Sequence, residues 1–303
     1  YSPWLGALGD TLDDFDFNPL SEQLLPHVDI VKVDVQAVGL DSLADNMARM
    51  RQYQDIQWLA EKIENYGEFN LALSLGFTYF QGYFFNKPEV LKNRKIDTSK
   101  IVLLNLLAEV CRPEINLKTI ERLVTPDVSL SYKLLRYINS VYYSLVSKVS
   151  SIRYALVYLG ESGTRQFVSL AAASEISEGK PSELIRLSMV RAELCQLLAA
   201  SHNARVDSSQ LFLLGLFSLL DAMLDMSMAE LTDKLPLTPE VKAALNDRQG
   251  PLAPYLLAVI AYEKGDFDTC TASLGQLGIP PEAMISAYFK ALAWADLFDA
   301  NLS

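Results

Sequence analysis

Leu59-Ala-Glu-Lys-Ile-Glu64 is a short apolar run that ends in two carboxylates. Gly76-Phe-Thr-Tyr-Phe-Gln-Gly-Tyr-Phe-Phe-Asn-Lys-Pro88 follows it as an aromatic run that is closed by a proline. Upstream, Ile30-Val-Lys-Val-Asp34 is β-branched and alternating, which is typical of a strand. An α/β barrel uses polar side chains at the ends of its strands to hold metal and substrate. These stretches therefore predict an α/β fold with a polar site where the strands end.

Strand patterns and helix patterns alternate through the first part of the chain. Helical periodicity runs from Leu40 to Tyr53 and from Glu64 to Leu75, between strands predicted at Ile30–Asp34, Ile56–Ala60 and Phe77–Phe80. This rhythm is typical of parallel βα units. Three or four strands can be identified, whereas a closed barrel needs eight. We therefore predict a partial TIM-like α/β barrel over residues 1–92, with the missing strands upstream of Tyr1.

The remainder of the chain, residues 93–303, is predicted to be all-α. A polar segment from Asn86 to Ser99, broken at Pro88, separates it from the first part. From Ile101 onward amphipathic patterns follow one another, with frequent Pro and Gly between them. We expect ten or so short helices.

Composition excludes several classes of partner. The chain has 303 residues, 50% of them hydrophobic and 21% charged, which is typical of a globular protein. Its 26 basic and 37 acidic residues give a net charge of −11, which argues against nucleic-acid and membrane surfaces. Three widely spaced cysteines (Cys111, Cys195 and Cys270) predict buried free thiols and fit a reducing cytoplasm. We expect a cytoplasmic protein, with a small anionic ligand still allowed.

Four segments of the first part carry a family resemblance. They are Asp13-Asp-Phe15, Lys32 in Val31-Lys-Val-Asp34, Glu61 in Ala60-Glu-Lys-Ile-Glu64, and Gln81-Gly82. In order and approximate spacing they resemble the EAL family, whose barrels bind and hydrolyse cyclic di-GMP. The resemblance implies carboxylate-held Mg²⁺ or Mn²⁺ that activates a water, and oxygen ligands suit these ions.

The resemblance also assigns roles to individual residues. It implies Asp13, Asp14 and Glu61 as metal ligands, and Lys32 as a contact to the reacting phosphate or the attacking water. Lys32 and Glu61 are thus the catalytic candidates. Lys32, Glu64 and Gln81 are the candidates for ligand binding.

Departures from the EAL pattern leave three hypotheses open. The Glu-x-Leu strand and two further ligands are absent, Asp16-Phe-Asn-Pro19 replaces a Gly-Thr-Gly loop, and Lys62 replaces a glycine. Glycine lets a loop turn tightly, and these residues do not reproduce that freedom. In the first hypothesis the segment keeps only the fold, and Lys32 pairs with Asp34 or Glu61 for stability alone. In the second it binds cyclic di-GMP without turnover. In the third it is an enzyme that upstream residues complete.

Two strings in the helical part carry a second resemblance. Thr125-Pro-Asp-Val-Ser-Leu-Ser-Tyr-Lys-Leu-Leu-Arg-Tyr-Ile-Asn-Ser140 and Ser150-Ser-Ile-Arg-Tyr-Ala-Leu-Val-Tyr-Leu-Gly160 resemble the HDOD domain, a helical relative of the HD phosphohydrolases. Ser218 and Leu219 stand where the His-Asp pair of those enzymes would fall, and the chain has only His27 and His202. The resemblance implies a domain without metal chemistry that acts through protein contacts.

Together the two resemblances match a two-domain EAL–HDOD class of bacterial signalling proteins. They imply a non-catalytic regulator with a protein partner on the HDOD domain, cyclic di-GMP as an optional ligand, and Mg²⁺ or Mn²⁺ only if the EAL site functions. The Ala-rich tail, with Tyr288, Ala291 and Trp294 in core-like stripes, could also pack on a second subunit. Asn139-Ser140 is interpreted as a helix cap, or else as a surface motif with Arg136.

Overall fold

A computed structural model describes residues 10–82, 98–140, 148–201 and 206–302. The chain divides into two units, Tyr1–Glu89 and Val90–Ser303, which are described separately below. The domain boundary predicted after residue 92 lies outside the described residues and stays a prediction.

The first unit alternates strands with helices, in the order that the sequence predicts. Its elements are β1 Thr11–Leu12, α1 Pro19–Glu22, a 3-10 turn at Leu25–His27, β2 Ile30–Asp34, α2 Val35–Val38, α3 Leu40–Met50, β3 Gln57–Ile63, α4 Tyr66–Leu75 and β4 Tyr79–Gly82. The strand predicted at Ile56–Ala60 ends three residues too early, because β3 continues to Ile63. Glu61 therefore lies inside a strand.

The four strands form one parallel sheet in the order β1-β2-β3-β4. β2 and β3 are paired over their full overlap, with Ile30 opposite Gln57 and Asp34 opposite Glu61. Parallel neighbours need a crossover, and the intervening helices supply it. The sheet packs against apolar side chains of α3 and α4, in a core that includes Val31, Val33, Leu43, Met47, Met50, Trp58 and Ala72. Four strands in chain order suit consecutive βα units, but the described residues do not form the closed TIM-like barrel.

A bulge interrupts the pairing of β3 with β4. The register shifts between Ala60 and Ile63, and Lys62 takes a left-handed φ of 58°. Such a bulge re-aims the side chains on either side of it. Gly82 closes β4 at this point, and a Cβ there would overlap the main chain of Ile63. The close approach of the two strands thus requires glycine at position 82.

The second unit consists of helices in all of its described residues. They are α5 Thr98–Val110, α6 Leu117–Val124, α7 Val128–Ile138, α8 Ile152–Ile176, α9 Ser182–Ala200, α10 Ser208–Phe217, α11 Leu220–Leu224, α12 Met228–Lys234, α13 Pro239–Asn246, α14 Ala253–Glu263, α15 Phe267–Leu277 and α16 Pro281–Leu302. The expectation of short helices is wrong for α9 and α16, which have 19 and 22 residues. α8 continues past Gly160, where a φ of 68° kinks it. None of the described helices is both long and apolar enough to span a bilayer.

Close packing of α9 against α10 builds the centre of this unit. Both helices are lined by fully buried side chains, among them Leu194, Leu198, Leu211 and Leu214. Gly215 of α10 lies against the main chain of Arg191 in α9, where a Cβ would overlap the backbone. The absence of a side chain at position 215 therefore sets the distance between the two helices.

We predict that Gly215→Ala destabilises the protein by about 3 kcal/mol, because neither backbone can move aside in a packed core. Gly275→Ala is the matched control, since its Cβ would meet nothing within 4 Å on the exposed side of α15. That control should gain about 0.5–1 kcal/mol from helix propensity. Urea unfolding measures both. A Gly215→Ala midpoint equal to that of the parent would contradict the packing described here.

Candidate functional site

The carboxyl ends of β1, β2 and β3 bring charged side chains together at one edge of the sheet. Asp13 and Asp14 follow β1 directly, Lys32 and Asp34 lie on β2, and Glu61 lies on β3. Ends of parallel strands meet at the same edge, which is where α/β folds place their ligands. The register that sets Asp34 opposite Glu61 fixes their spacing.

Lys32 links the three strands through its ammonium group. Its Nζ lies 2.9 Å from Asp13 Oδ1 and 2.7 Å from Glu61 Oε1. The Lys32 and Glu61 side chains are only 17% and 10% exposed, whereas that of Asp13 is 63% exposed. The pair of Lys32 with Glu61 that the sequence offered as one alternative is therefore present. The other alternative, a pair with Asp34, is wrong, because Asp34 binds Lys62 instead.

These contacts shift the pKa values of the groups involved. Burial alone would lower the pKa of the Lys32 ammonium, but its hydrogen bonds to Glu61 and Asp13 together outweigh burial and raise it. The hydrogen bond from Lys32 lowers the pKa of Asp13, against a smaller opposing effect of burial. Lys32 is therefore a fixed positive charge at the strand ends over the whole physiological pH range.

Asp13, Asp14 and Glu61 offer oxygen atoms that all lie within 4.8 Å of one another. Hard oxygen ligands at this spacing suit a small divalent cation such as Mg²⁺ or Mn²⁺. The three side chains that the EAL resemblance implies as ligands are thus brought together. Two of them, Asp13 and Glu61, already accept hydrogen bonds from Lys32.

Lys62 adds a second positive charge at the strand ends. In the sequence this position is notable only because a lysine replaces the glycine of the EAL pattern. Its Nζ donates to Asp34 Oδ2 at 2.5 Å, and this hydrogen bond is the main cause that lowers the pKa of Asp34. The other oxygen of Asp34 accepts from the amides of Gln36 and Ala37 at 3.0 Å and caps α2. Asp34 is therefore held from two sides. The sequence signal that could have identified Asp34 as a site residue is its position directly after a β-branched run.

The loop after Asp14 turns without the glycines of the EAL pattern. Asp14 and Phe17 take left-handed φ values of 50° and 59°. The Phe17 ring is buried against Phe15 and Trp58, with ring centroids at 4.8 and 6.4 Å. The expectation that residues other than glycine cannot make this tight turn is wrong here. Aromatic packing holds Phe17 in the left-handed conformation. Strained backbone of this kind concentrates at functional sites.

A cleft of about 320 Å³ opens beside the strand ends. Its walls combine acidic and apolar groups, namely Asp14, Phe15, Asp16, Asp34, Ala37, Val38 and Asn46. Two predicted binding residues do not line this cleft. Glu64 is exposed beyond β3, where its main-chain amide donates to Glu68, and Gln81 is exposed on β4. Their predicted role in ligand binding is not tested by this geometry.

The second unit carries a buried polar cluster around Ser218, one of the two residues at which the resemblance places the His-Asp pair of HD enzymes. The Arg191 guanidinium donates to both oxygens of Glu263 at 2.7–3.0 Å and to Ser218 Oγ at 3.1 Å. Ser218 Oγ in turn donates to the carbonyl of Gly215 at 2.7 Å. Leu219, the next residue, is buried. In the described part of residues 98–302 no group of His, Cys, Asp and Glu has the spacing of a metal site; His202 is outside the described residues.

Asn139 supports the capping interpretation of the Asn-Ser pair. It ends α7, and its side chain donates to the carbonyls of Leu135 and Val149 and accepts from the amide of Val149, all at 2.7–2.8 Å. These bonds tie α7 to the segment that leads into α8.

The three cysteines are buried, and burial raises the pKa of the Cys111 and Cys195 thiols to about 12. They are buried free thiols, as predicted.

Comparison with known proteins identifies the family. The HDOD domain family matches residues 97–232. YuxH of Bacillus subtilis is 32% identical over 301 residues, which are 96% of this chain and 72% of YuxH. The chain belongs to the HDOD-domain family. The resemblance drawn from the two helical strings is thereby confirmed.

A second relative of this HDOD protein carries a functional name. CdgJ of Vibrio cholerae, named a cyclic di-GMP phosphodiesterase, is 43% identical over 285 residues, which are 94% of this chain and 66% of CdgJ. The HDOD protein thus spans about two thirds of CdgJ and somewhat more of YuxH. A solved structure from Marinobacter aquaeolei VT8, 12% identical, covers 85% of the HDOD protein and 83% of its own chain at a TM-score of 0.51. That likeness concerns the fold alone.

We predict that Arg191→Met destabilises the HDOD protein by about 3 kcal/mol or more, because the Glu263 carboxylate is then buried without its partner. The double variant Arg191→Met/Glu263→Met should recover most of this loss. Arg186→Met is the matched control, since its pair with Asp296 is exposed and should cost less than about 1 kcal/mol. Thermal unfolding of the four proteins measures the difference. Equal losses for Arg191→Met and Arg186→Met would contradict the buried cluster.

Proposed function

We propose that this chain is a signalling protein that binds cyclic di-GMP at the strand ends of its first unit and acts on a protein partner through its HDOD domain. The single observation that carries the proposal is the position of Lys32, whose ammonium is held between Asp13 and Glu61. A fixed cation at the strand ends is a suitable contact for a phosphodiester. The name of CdgJ, a relative that aligns over most of the chain, supports the same ligand.

The first unit is, in this proposal, a degenerate EAL-type segment. Asp13-Asp14, Lys32, Glu61 and Gln81 occur in the order of that family. The parallel strands that follow one another in chain order support the same assignment. The proposed role of this segment is to bind the nucleotide without turning it over.

The HDOD domain is, in this proposal, a non-catalytic module for protein contacts. Ser218 and Leu219 stand where the resemblance places the His-Asp pair of HD enzymes, and Ser218 accepts a hydrogen bond from Arg191. A protein partner, or a second copy of the chain, would then receive the signal on the surface of this domain.

Calorimetric titration of the chain with cyclic di-GMP tests the binding proposal. We expect a micromolar dissociation constant, about −8 kcal/mol, that Lys32→Met weakens at least about tenfold, because a charge-assisted contact is lost. Lys118→Met on exposed α6 removes the same charge from the other unit and should leave binding unchanged. Circular dichroism shows whether Lys32→Met keeps its fold. No heat from the parent protein at high concentration would overturn the proposal.

Hydrolysis of cyclic di-GMP is the second candidate, favoured by the name of CdgJ and by the clustered oxygens of Asp13, Asp14 and Glu61. These three side chains would hold Mg²⁺ or Mn²⁺, which when bound lowers the pKa of a water and polarises a phosphoryl oxygen. Lys32 would orient the phosphodiester and offset its negative charge. Asp14, exposed and close to the other two carboxylates, completes the oxygen set.

Chromatography of the nucleotide after incubation with the chain and Mn²⁺ separates the two candidates. Hydrolysis predicts the linear dinucleotide, and Asp13→Ala and Glu61→Ala should each reduce its formation by at least about a hundredfold, because each removes a metal ligand. Binding without turnover predicts that the cyclic nucleotide is recovered intact. Product formed equally by the Asp13→Ala variant would contradict the assignment of the site.

A further inference from the structure

The bulge of β3 places a lysine where backbone geometry favours glycine. Lys62 has a φ of 58°, a conformation that strains any residue with a side chain. Its ammonium nevertheless has one defined partner, Asp34 Oδ2 at 2.5 Å. The bulge thus directs a charged side chain across the strand ends, from β3 toward β2.

The charge of Lys62 also acts on the carboxylates that could hold a metal. Asp14 and Glu61 lie close enough for their charges to help raise the pKa of Lys62, after the larger effect of Asp34. Asp14 and Asp34 line the same cleft. The Lys62 ammonium group therefore pairs with Asp34 and also interacts electrostatically with Asp14 and Glu61.

The charges at the strand ends show what this ammonium changes. Asp13, Asp14, Asp34 and Glu61 contribute four negative charges, and Lys32 and Lys62 contribute two positive charges. Without Lys62 the balance would change from −2 to −3, and Asp34 Oδ2 would lose its ammonium partner while Oδ1 still caps α2. A divalent cation would then be attracted more strongly, and by more oxygens.

We infer that Lys62 is a tethered cation that competes with a divalent metal ion for the strand-end carboxylates and so sets the metal affinity of this site. The inference rests on the proposed function, since it concerns the same carboxylates. It assigns Lys62 a positioning role, because the lysine acts through Asp34, Asp14 and Glu61 rather than on the nucleotide itself. A chain with Lys62 then holds metal weakly, which favours binding of a nucleotide over its hydrolysis.

Titration of the full chain with Mn²⁺ alone, followed by the electron paramagnetic resonance of free Mn²⁺, tests the inference. Lys62→Met removes the charge and keeps the strained backbone, whereas Lys62→Gly removes the charge and the strain together. Both should bind Mn²⁺ on the order of tenfold more tightly than the parent. Lys62→Arg keeps the charge and should bind as weakly as the parent.

Two further variants locate the effect. Lys118→Met removes an equal charge from exposed α6 in the other unit and should leave Mn²⁺ affinity unchanged. Asp13→Ala in the Lys62→Met background should abolish the gain, since it removes one of the three oxygens. A gain that survives Asp13→Ala places the ion elsewhere and overturns the inference. Equal Mn²⁺ affinities of Lys62→Met and the parent, or no Mn²⁺ binding by Lys62→Met at millimolar concentration, also overturn it.

Failure of this inference is distinguishable from failure of the proposed function. Nucleotide binding in the absence of metal, together with Mn²⁺ affinities that do not respond to Lys62, would overturn the role of Lys62 alone. An Mn²⁺ affinity that rises in Lys62→Met, in a chain that never binds cyclic di-GMP, would overturn the proposed ligand alone.

Discussion

A positive charge taken out of water needs partners from the protein, and each unit of this chain contains such a charge. In the first unit, Lys32 on β2 reaches Asp13 after β1 and Glu61 on β3. In the second unit, Arg191 on α9 reaches Glu263 on α14 and Ser218 at the end of α10. Each cation therefore ties together three elements that are distant in sequence. The strand-end site and the helical centre both follow from this requirement.

Lys32 and Arg191 have different consequences for chemistry. Arg191 is enclosed by apolar helices and its partners are satisfied, so its cluster holds the HDOD domain together and offers nothing to a ligand. Lys32 lies at the strand ends, and its partner Asp13 remains 63% exposed. Incomplete burial leaves the carboxylates of the first unit able to exchange partners. That difference is why the proposed ligand site lies on the strand ends.

Backbone strain is concentrated at the same edge. Asp14, Phe17 and Lys62 take left-handed φ values within one unit. Phe17 is held there by ring packing and Lys62 by its ion pair with Asp34. Each residue stands close to a position where the EAL pattern has glycine. The chain thus keeps the turns that bring the carboxylates together, although it has lost the residues that make such turns easy.

The sequence by itself determined the alternation of strand and helix in residues 10–82, the helical character of the second unit, the HDOD assignment and the residues that meet at the strand ends. The strands and helices follow from local periodicity and turn residues, whereas the HDOD assignment and the strand-end residues follow from resemblance to known families. Only the tertiary structure decided that Lys32 pairs with Asp13 and Glu61, that Asp34 pairs with Lys62, and that Arg191 pairs with Glu263 beside Ser218. Ion pairs join residues distant in sequence, and their choice of partner depends on strand register, a bulge and helix distance. No local pattern of residues encodes those distances.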